Sequence, residues 1–197
     1  MEISSINQLD LTKIYSYADY LLWKFDERVE LLKGYILQMA APKRYHQEIV
    51  GKLHAHLFTF FKRNPCKIYI APFDVRLYNR KKSELLDKEV FTVVQPDLCV
   101  VCDLEKLDEK GCNGSPEFII EIVSPSNARR DVKDKFEMYE QTGVLEYWIV
   151  RPDEKTVSQF ILENEKYRFG GIFTDEEKIR PFLFPDLEVD LAEIFEE

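Results

Sequence analysis

The chain has 197 residues, which is enough for one domain with a sizeable core, and no linker-like stretch divides it. Its composition, 45% hydrophobic and 32% charged, is typical of a globular protein and excludes wholesale disorder and a membrane-spanning chain. The formal net charge of -9 weighs against a protein that coats nucleic acid unspecifically, because such binding relies on excess positive charge. We therefore expect a single domain over residues 1–197.

The first residues and the cysteines bear on the compartment. Met1 to Ser5 has neither a basic start nor an apolar run, which predicts a cytoplasmic protein without a secretory signal or transmembrane anchor. Such a chain needs no disulfides, although cysteines occur at positions 66, 99, 102 and 112. Cys99 and Cys102 have the spacing of a zinc knuckle, but within a strand this spacing points them to opposite faces. Core thiols are therefore the better interpretation.

The amino-terminal third predicts helices around a hairpin. Ser16 is a suitable cap for the first helix, and Lys33-Gly34 is a suitable two-residue turn for the hairpin. The last helix follows from apolar residues at helical spacing. The predicted elements are a short helix over Tyr17–Trp23, a hairpin of Val29–Leu32 and Tyr35–Met39, and a long helix from Lys43 to about Asn64.

The rest of the chain is dominated by short apolar runs. The predicted strands are Cys66–Ala71, Phe73–Tyr78, Phe91–Val101, Phe118–Val123, Glu146–Val150, Thr156–Leu162 and Lys166–Phe173. Pro72 separates the first two strands and Pro96 kinks the third, with loops over 79–88 and 103–116. A helix from about Arg130 to Thr142 and a last short helix near the end complete the prediction. This order indicates an α/β or α+β domain built on a mixed sheet flanked by helices.

Two of the apolar runs each carry one carboxylate, Asp97 and Glu121. A carboxylate among buried apolar residues is costly unless it meets a cation, a hydrogen-bond donor or a metal. Because side chains alternate along a strand, Asp97 shares a face with Gln95, and Glu121 shares a face with Val123. If the two strands are neighbours, the two carboxylates converge at one end of the sheet.

Together with a backbone carbonyl, these two carboxylates would form a hard oxygen site suited to Mg²⁺ or Mn²⁺. Taken as isolated residues, each could equally cap a turn or pair with a nearby arginine.

A family resemblance favours the metal site. Pro96-Asp97, an intervening loop and the apolar-flanked Glu121 resemble the metal-binding half of the PD-(D/E)xK nuclease motif. Segments that cover most of the chain also resemble, in the same order, the Uma-type restriction endonuclease family of bacteria. These segments are Glu30–Gly34, His46-Gln47, Pro72–Leu77, Gln95–Asp97, Glu121–Ser126 and Gly143–Val150. The resemblance implies a restriction endonuclease-like fold more firmly than a defined activity.

The chain departs from the nuclease pattern at the lysine. The motif has a lysine two residues after the glutamate, where this chain has Val123. On the following predicted helix, Asp131 and Lys135 are four residues apart and share a face. We expect Lys135 to replace the missing lysine. An ordinary ion pair between Asp131 and Lys135 is the alternative.

The resemblance implies metal-assisted hydrolysis of DNA phosphodiester bonds. Asp97, Glu121 and the carbonyl of Ile122 are expected to hold Mg²⁺, with Mn²⁺ as a substitute. Lys135 is expected to orient the attacking water or to offset charge in the transition state. The expected catalytic residues are therefore Asp97, Glu121 and Lys135.

Four further residues are expected to support this site. Glu30 would complete the cluster from the first hairpin, and Gln95 would position water. His46, which occupies the place of a family histidine near the site, would contact a phosphate or the metal, or make only a local hydrogen bond. Asp74 would support the site electrostatically together with Arg76, or form an ion pair with it at the edge of the core.

DNA is the expected substrate, and the resemblance is compatible with a homodimer because nucleases of this fold often pair to address two strands. Short basic clusters could meet phosphates; they are Lys43-Arg44, Arg80–Lys82, and Arg129-Arg130 with Lys133. No helix-turn-helix, zinc-finger or base-stacking signature predicts sequence-specific recognition.

The competing hypothesis is a catalytically silent interaction module with the same fold, which Val123 and the acidic net charge favour. A glycosidase pair of carboxylates lacks the aromatic residues that bind sugars.

Overall fold

The computed structural model of the protein describes residues 3–78, 87–123 and 128–196, with the backbone alone for 128–131. The α-helices in these residues are α1 Tyr17–Tyr20, α2 Arg44–Phe61, α3 Ala128–Thr142 and α4 Leu191–Phe195. Short 3-10 helices are Ile6–Gln8, Asp87–Glu89 and Leu104–Lys106. The strands are β1 Val29–Leu32, β2 Tyr35–Gln38, β3 Lys67–Ile70, β4 Val75–Arg76, β5 Val93–Val94, β6 Leu98–Val101, β7 Leu107–Asp108, β8 Gly111–Asn113, β9 Phe118–Ile122, β10 Glu146–Arg151, β11 Thr156–Glu163, β12 Lys166–Thr174, β13 Lys178–Ile179 and β14 Val189–Asp190.

The strands form two six-stranded sheets and one small pair, β13 with β14. Sheet I has the order β12-β11-β10-β9-β6-β3, and sheet II has the order β2-β1-β5-β4-β8-β7. Each sheet is mixed, because β9 and β10 run parallel in sheet I and β4 and β8 run parallel in sheet II. The expected mixed sheet flanked by helices is therefore present, accompanied by a second sheet of shorter strands.

Sheet I is covered on both faces, which explains why its central strands carry apolar residues on both faces. On one face, Leu98 and Val100 pack with the apolar side of α2 and with α4. On the other face, Cys99 and Val101 pack with α3 and with residues of sheet II. Side chains of β6 thus alternate between two cores, as the pattern of the sequence predicts.

Several predicted elements are confirmed close to their expected bounds. Helix α2 occupies most of the predicted 43–64 stretch and ends before Pro65. Helix α1 begins after Ser16, whose hydroxyl accepts the main-chain N–H of Asp19 in a capping box. The strands β11 and β12 pair antiparallel as the expected second hairpin.

The turn of the first hairpin is confirmed at Lys33-Gly34. Both residues have positive φ, 53° and 85°, as a two-residue turn between right-twisted strands requires. A Cβ at Gly34 would lie 2.3 Å from Cγ2 of Ile14, so the turn also needs glycine for space.

Two predicted strand regions divide between the sheets. Pro72 separates β3 in sheet I from β4 in sheet II, and Pro96 separates β5 in sheet II from β6 in sheet I. The prediction of one kinked strand over 91–101 was therefore wrong, because the chain changes sheets at the proline. The predicted loop 103–116 also contains a small hairpin, β7 with β8.

The expectation that the chain forms no disulfide is corrected. Cys66 and Cys102 form a disulfide in the structure, and Cys99 and Cys112 are buried free thiols. The antiparallel register of β3 and β6 places Lys67 opposite Val101, so the two flanking cysteines face each other across the strands.

Some predictions fall on residues outside the described ranges. These are most of the 79–88 loop with the basic cluster Arg80–Lys82, the segment Ser124–Asn127, and the side chains of Arg129, Arg130 and Asp131. No helix in the described part of the chain is long and apolar enough to cross a membrane.

Candidate active site

Asp97 and Glu121 lie opposite each other at one end of sheet I. Strands β6 and β9 pair antiparallel with Leu98 opposite Ile120, so the residue before Leu98 faces the residue after Ile120. The two strands are therefore neighbours, which is the condition under which the sequence predicts that the two carboxylates converge.

Helix α3 brings a lysine and a tyrosine to Glu121. The Nζ of Lys135 donates to Oε1 of Glu121 at 2.9 Å, and the hydroxyl of Tyr139 donates to the same oxygen at 2.7 Å. The two donors are four residues apart and share one face of the helix. Val123, in the usual lysine place, packs instead against the apolar core beneath α3. A lysine thus reaches the glutamate from the helix.

Glu30 extends from β1 to the same ammonium group. Lys135 Nζ also donates to Oε1 of Glu30 at 3.1 Å, and that oxygen accepts the main-chain N–H of Gln95 at 2.8 Å. Glu30 and Glu121 are only 4% and 7% exposed. Because two buried carboxylates repel each other, the ammonium between them offsets much of the cost of their burial. The expected pairing of Lys135 with Asp131 involves a side chain outside the described residues.

Asp97 is held by the end of β9 and by the first turn of α2. Its Oδ2 accepts the main-chain N–H of Ile122 at 2.8 Å and lies 3.2 Å from Nε2 of His46. Within the described residues, Oδ1 of Asp97 and Oε2 of Glu121 accept no hydrogen bond. One oxygen of each carboxylate is therefore available to a ligand.

The carboxylates and lysine of this cluster shift one another's protonation. Burial raises the pKa of Glu121 to about 7, and the charges of Asp97 and Glu30 add to this effect, while Lys135 opposes it. Burial alone would lower the pKa of Lys135, but Glu121 and Glu30 raise it above its ordinary value, so the ammonium stays charged. Burial and the neighbouring acids thus make Glu121 harder to ionise than an ordinary glutamate.

His46 belongs to the same electrostatic cluster. Burial disfavours the charged ring, but the hydrogen bond and charge of Asp97, the charge of Glu121 and the carbonyl of Ile122 outweigh it and raise the pKa of His46. Its Nδ1 is buried and has no hydrogen-bond partner in the described part of the chain. His46 thus contacts Asp97 and is not limited to a local helix-end hydrogen bond.

Asp74 and Gln95 form a network beside the cluster. The Nε2 of Gln95 donates to Oδ1 of Asp74 at 2.9 Å, and the hydroxyls of Tyr17 and Tyr20 also donate to Asp74. Of the two alternatives for Asp74, the ion pair with Arg76 is not formed. The guanidinium of Arg76 lies instead 2.7 Å from Oδ2 of Asp108, a residue of β7.

The carboxylate cluster lines a cleft of about 380 Å³. Glu30, Asp97, Glu121, Lys135 and Arg28 are all part of its lining. Much of the wall is apolar; it includes Leu32, Leu37, Met39, Ile70, Val132 and Pro152. A concave site with apolar walls and a few convergent polar groups is the usual form of a binding or active site.

The donor chemistry of the cleft fits a hard divalent cation. Asp97 and Glu121 each present a free oxygen, and Mg²⁺ is commonly held by one or two carboxylates, with water and substrate phosphate completing its shell. Among the described residues, no group of three or more His, Cys, Asp or Glu side chains is arranged to hold an ion. The residues present thus fit an ion held by two carboxylates.

Sequence reasoning missed one residue that lines the cleft, Arg28, and one buried residue that contacts Glu121, Tyr139. Tyr139 continues the helical stripe of Lys135, so its spacing carried a signal that it would reach Glu121. Arg28 lies two residues before Glu30, and strand alternation placed both on one face. The remaining predicted residues, including Gln95 and Asp74, are brought to the cluster or next to it.

Comparison with solved structures defines the class of fold. A crystal structure described as a "putative nuclease belonging to DUF820", from Anabaena variabilis ATCC 29413, matches with a TM-score of 0.69 and 18% sequence identity. The match covers 91% of this chain and 97% of the other chain. This chain thus shares the mixed α+β fold of that structure, and the predicted fold class is confirmed.

The chain belongs to the Uma2 family, described as "Putative restriction endonuclease", whose model matches residues 17–192. The resemblance found in the sequence segments is therefore confirmed over most of the chain. A comparison with curated proteins finds no match.

Proposed function

We propose that this protein is a metal-dependent endonuclease that hydrolyses DNA phosphodiester bonds, with Mg²⁺ as the cofactor and Mn²⁺ as a substitute. The observation that carries the proposal is that three carboxylates and one ammonium line the same cleft. Glu30, Asp97 and Glu121 all line it, and Lys135 bridges Glu30 and Glu121. Family membership supports the same class of activity.

The charge of the cluster favours a divalent cation. The three carboxylates outnumber the ammonium of Lys135 and the ring of His46, so the cluster carries net negative charge when its acids are ionised, and this charge would repel a phosphate. A divalent ion offsets this charge and gives a phosphodiester an electrophilic partner. Asp97 Oδ1 and Glu121 Oε2 are the oxygens available to hold it, and the carbonyl of Ile122 is a further proposed ligand.

Each residue then has a role that follows from its contacts. When bound, the ion supplies Lewis acidity toward a phosphate oxygen and lowers the pKa of a water molecule. Lys135 has three N–H donors and uses two on Glu30 and Glu121; the third has no partner among the described side chains and would orient the attacking water or stabilise charge on the phosphate. His46 holds Oδ2 of Asp97, which leaves Oδ1 as the oxygen proposed to bind the ion.

Glu30 and Tyr139 act through the groups that they contact. Glu30 fixes the ammonium of Lys135 from the side opposite Glu121, and the hydroxyl of Tyr139 fixes Oε1 of Glu121. Both contacts restrict the rotation of side chains that must meet the substrate with defined geometry.

A cleavage assay with purified protein tests the proposal. Plasmid and linear DNA should be cut with Mg²⁺ or Mn²⁺ and not with EDTA, and Asp97→Ala and Glu121→Ala should each abolish cutting. Asp186→Asn, which changes an exposed acid that does not line the cleft, is the control and should cut like the wild type. Cutting that survives both alanine substitutions would overturn the assignment, and metal binding without any cutting would favour a silent interaction module.

Pairing of two copies and a cytoplasmic location stay predictions. The mass of the protein in solution, with and without DNA, tests the first, and fractionation of cells that express a tagged chain tests the second.

A further inference from the structure

Arg28 is a cation of the cleft lining that meets no acidic partner in the described part of the chain. Its Nε and Nη2 donate to Oε1 of Gln95 at 3.2 and 2.9 Å, and this oxygen is neutral. Among the described residues, no carboxylate lies within ion-pair distance of its guanidinium. Arg28 is nevertheless half-buried and lines the cleft.

The position of Arg28 follows from β1. Arg28 immediately precedes the strand and lies two residues before Glu30, so both side chains project from the same face, about 7 Å apart along the chain. Gln95 joins the two, because its main-chain N–H contacts Glu30 and its side-chain oxygen accepts from Arg28. The guanidinium is therefore fixed beside the carboxylate cluster.

The nearby carboxylates are already engaged by other donors. Glu30 accepts from Lys135 and Gln95, and Asp74 accepts from Gln95 and two tyrosine hydroxyls. Gln95 itself is oriented by Asp74, so its oxygen must face Arg28. This arrangement holds the guanidinium in place while leaving its charge unbalanced, which is costly in a half-buried site unless an anion joins it.

We propose that Arg28 is a substrate-binding residue: it binds the backbone phosphate of DNA that is next to the scissile phosphate. This inference rests on the proposed function. A guanidinium has five N–H donors in a planar fork, and Gln95 uses one from each of two nitrogens. The remaining donors match two oxygens of a phosphate, which is the bidentate contact that arginine makes best. Arg28 thereby fixes the register of the strand while the carboxylate cluster holds the reacting phosphate.

Binding of fluorescein-labelled 20-nucleotide DNA, measured by fluorescence anisotropy in Ca²⁺ at several salt concentrations, tests this role. Ca²⁺ fills oxygen sites at longer distances than Mg²⁺ and allows binding to be measured apart from cutting. The variants are Arg28→Met, which removes the charge, and Arg28→Lys, which keeps the charge without the fork. Arg168→Met is the control, because Arg168 pairs with Glu163 on the outer strands.

Arg28→Met should weaken binding about ten- to a hundredfold, as expected for loss of a charge-assisted contact. The slope of log affinity against log salt should fall by about 0.7 for single strands and about 0.9 for duplex DNA, the value for one phosphate contact. Arg28→Lys should keep the slope and lose only part of the affinity, and Arg168→Met should match the wild type. Arg28→Gln replaces the methionine variant, with the same expectation, if that variant does not fold.

Affinity lost with an unchanged salt slope would mean that Arg28 only braces Gln95, and wild-type affinity in Arg28→Met would likewise overturn the inference. If the wild type binds and cuts DNA and Arg28→Met binds and cuts it equally well, the role of Arg28 is refuted and the proposed function stands. A wild-type protein that neither binds nor cuts DNA refutes the proposed function, and this inference with it.

Discussion

The ammonium of Lys135 lies 2.9 Å from Oε1 of Glu121, although the two residues are 14 positions apart and belong to a helix and a strand. In the nuclease motif that the sequence resembles, the lysine follows the glutamate by two residues on the same strand. Here that place holds Val123, whose side chain packs with the core. The charge beside the glutamate is therefore present, but a different element supplies it.

Replacing Lys135 should abolish cutting. In Lys135→Met the transition state loses its nearest ammonium, so we expect cleavage to fall at least about a hundredfold. The variant should also be destabilised by about 3–5 kcal/mol, because two buried carboxylates lose their shared cation. Cleavage rates and urea unfolding curves measure the two effects. Lys178→Met is the control, since Lys178 is exposed, does not line the cleft and forms surface ion pairs with Glu188 and Asp190.

A second substitution tests whether the position of the charge is what matters. Val123→Lys in the Lys135→Met background returns a lysine to the motif position, and Val123 lines the cleft. We expect this double variant to recover part of the lost cleavage. A Lys135→Met protein that folds and cuts at the wild-type rate would remove the lysine from the mechanism.

Glu121→Gln should lower cleavage and, at high pH, raise folding stability. Burial raises the pKa of Glu121 from 4.5 to about 7, so between these values the folded protein binds a proton more tightly than the unfolded chain does. Folding stability of the wild type therefore falls as the pH rises through this window. A glutamine cannot ionise and avoids that loss, whereas cleavage should fall at least about a hundredfold because a ligand oxygen is gone.

Thermal unfolding at pH 4.5 and pH 8 measures the first half of this prediction. Relative to the wild type, Glu121→Gln should gain a few degrees in Tm at pH 8 and much less at pH 4.5. A variant that is less stable than the wild type at pH 8 would contradict the prediction, because it would show that the ionised carboxylate stabilises the fold.

Glu146 should be needed for the fold without belonging to the cleft. Its wholly buried carboxylate accepts hydrogen bonds from the side chains of Trp148 and Gln159 and from the main-chain N–H groups of Phe182 and Leu183. Burial raises its pKa, although these donors lower it in part. In Glu146→Gln an N–H would face another N–H, so we expect a loss of about 1–3 kcal/mol in urea unfolding.

Glu163→Gln is the control for that measurement, because Glu163 forms a surface ion pair with Arg168 that should contribute little to the free energy of unfolding. Equal stability of the two variants would indicate that Glu146 is protonated in the fold and that an amide replaces it without cost.

The disulfide between Cys66 and Cys102 should contribute to stability in the purified protein. It closes a loop across a sequence separation of 36, so reduction should lower the free energy of unfolding by about 2–4 kcal/mol. Mass spectrometry after alkylation under denaturing conditions should find two reactive thiols, from Cys99 and Cys112, and two more after reduction. Four reactive thiols without any reductant would show that the pair is not oxidised.

The sequence carried the local parts of this structure. Helix α2, the Lys33-Gly34 turn and strand β9 follow from periodicity and turn chemistry, which depend on neighbouring residues only. The opposition of Asp97 and Glu121 also followed, since it needed only strand alternation and one neighbour relation.

The predictions that failed concern features that depend on how segments distant in sequence pack together. The sequence does not reveal that the chain changes sheets at Pro72 and Pro96, nor that Asp74 meets Gln95 while Arg76 meets Asp108. The disulfide was missed for the same reason, because the register of β3 with β6 is a tertiary property.

The central claim is that Asp97 and Glu121 together hold a divalent cation, and a crystal structure with Mn²⁺ tests it most directly. The anomalous signal of manganese locates the ion without assumptions about its ligands. We expect one peak in the cleft within about 2.3 Å of Oδ1 of Asp97 and Oε2 of Glu121, and no peak there in Asp97→Asn crystals. A wild-type cleft that stays empty at saturating Mn²⁺, or a peak that contacts neither carboxylate, would contradict the account.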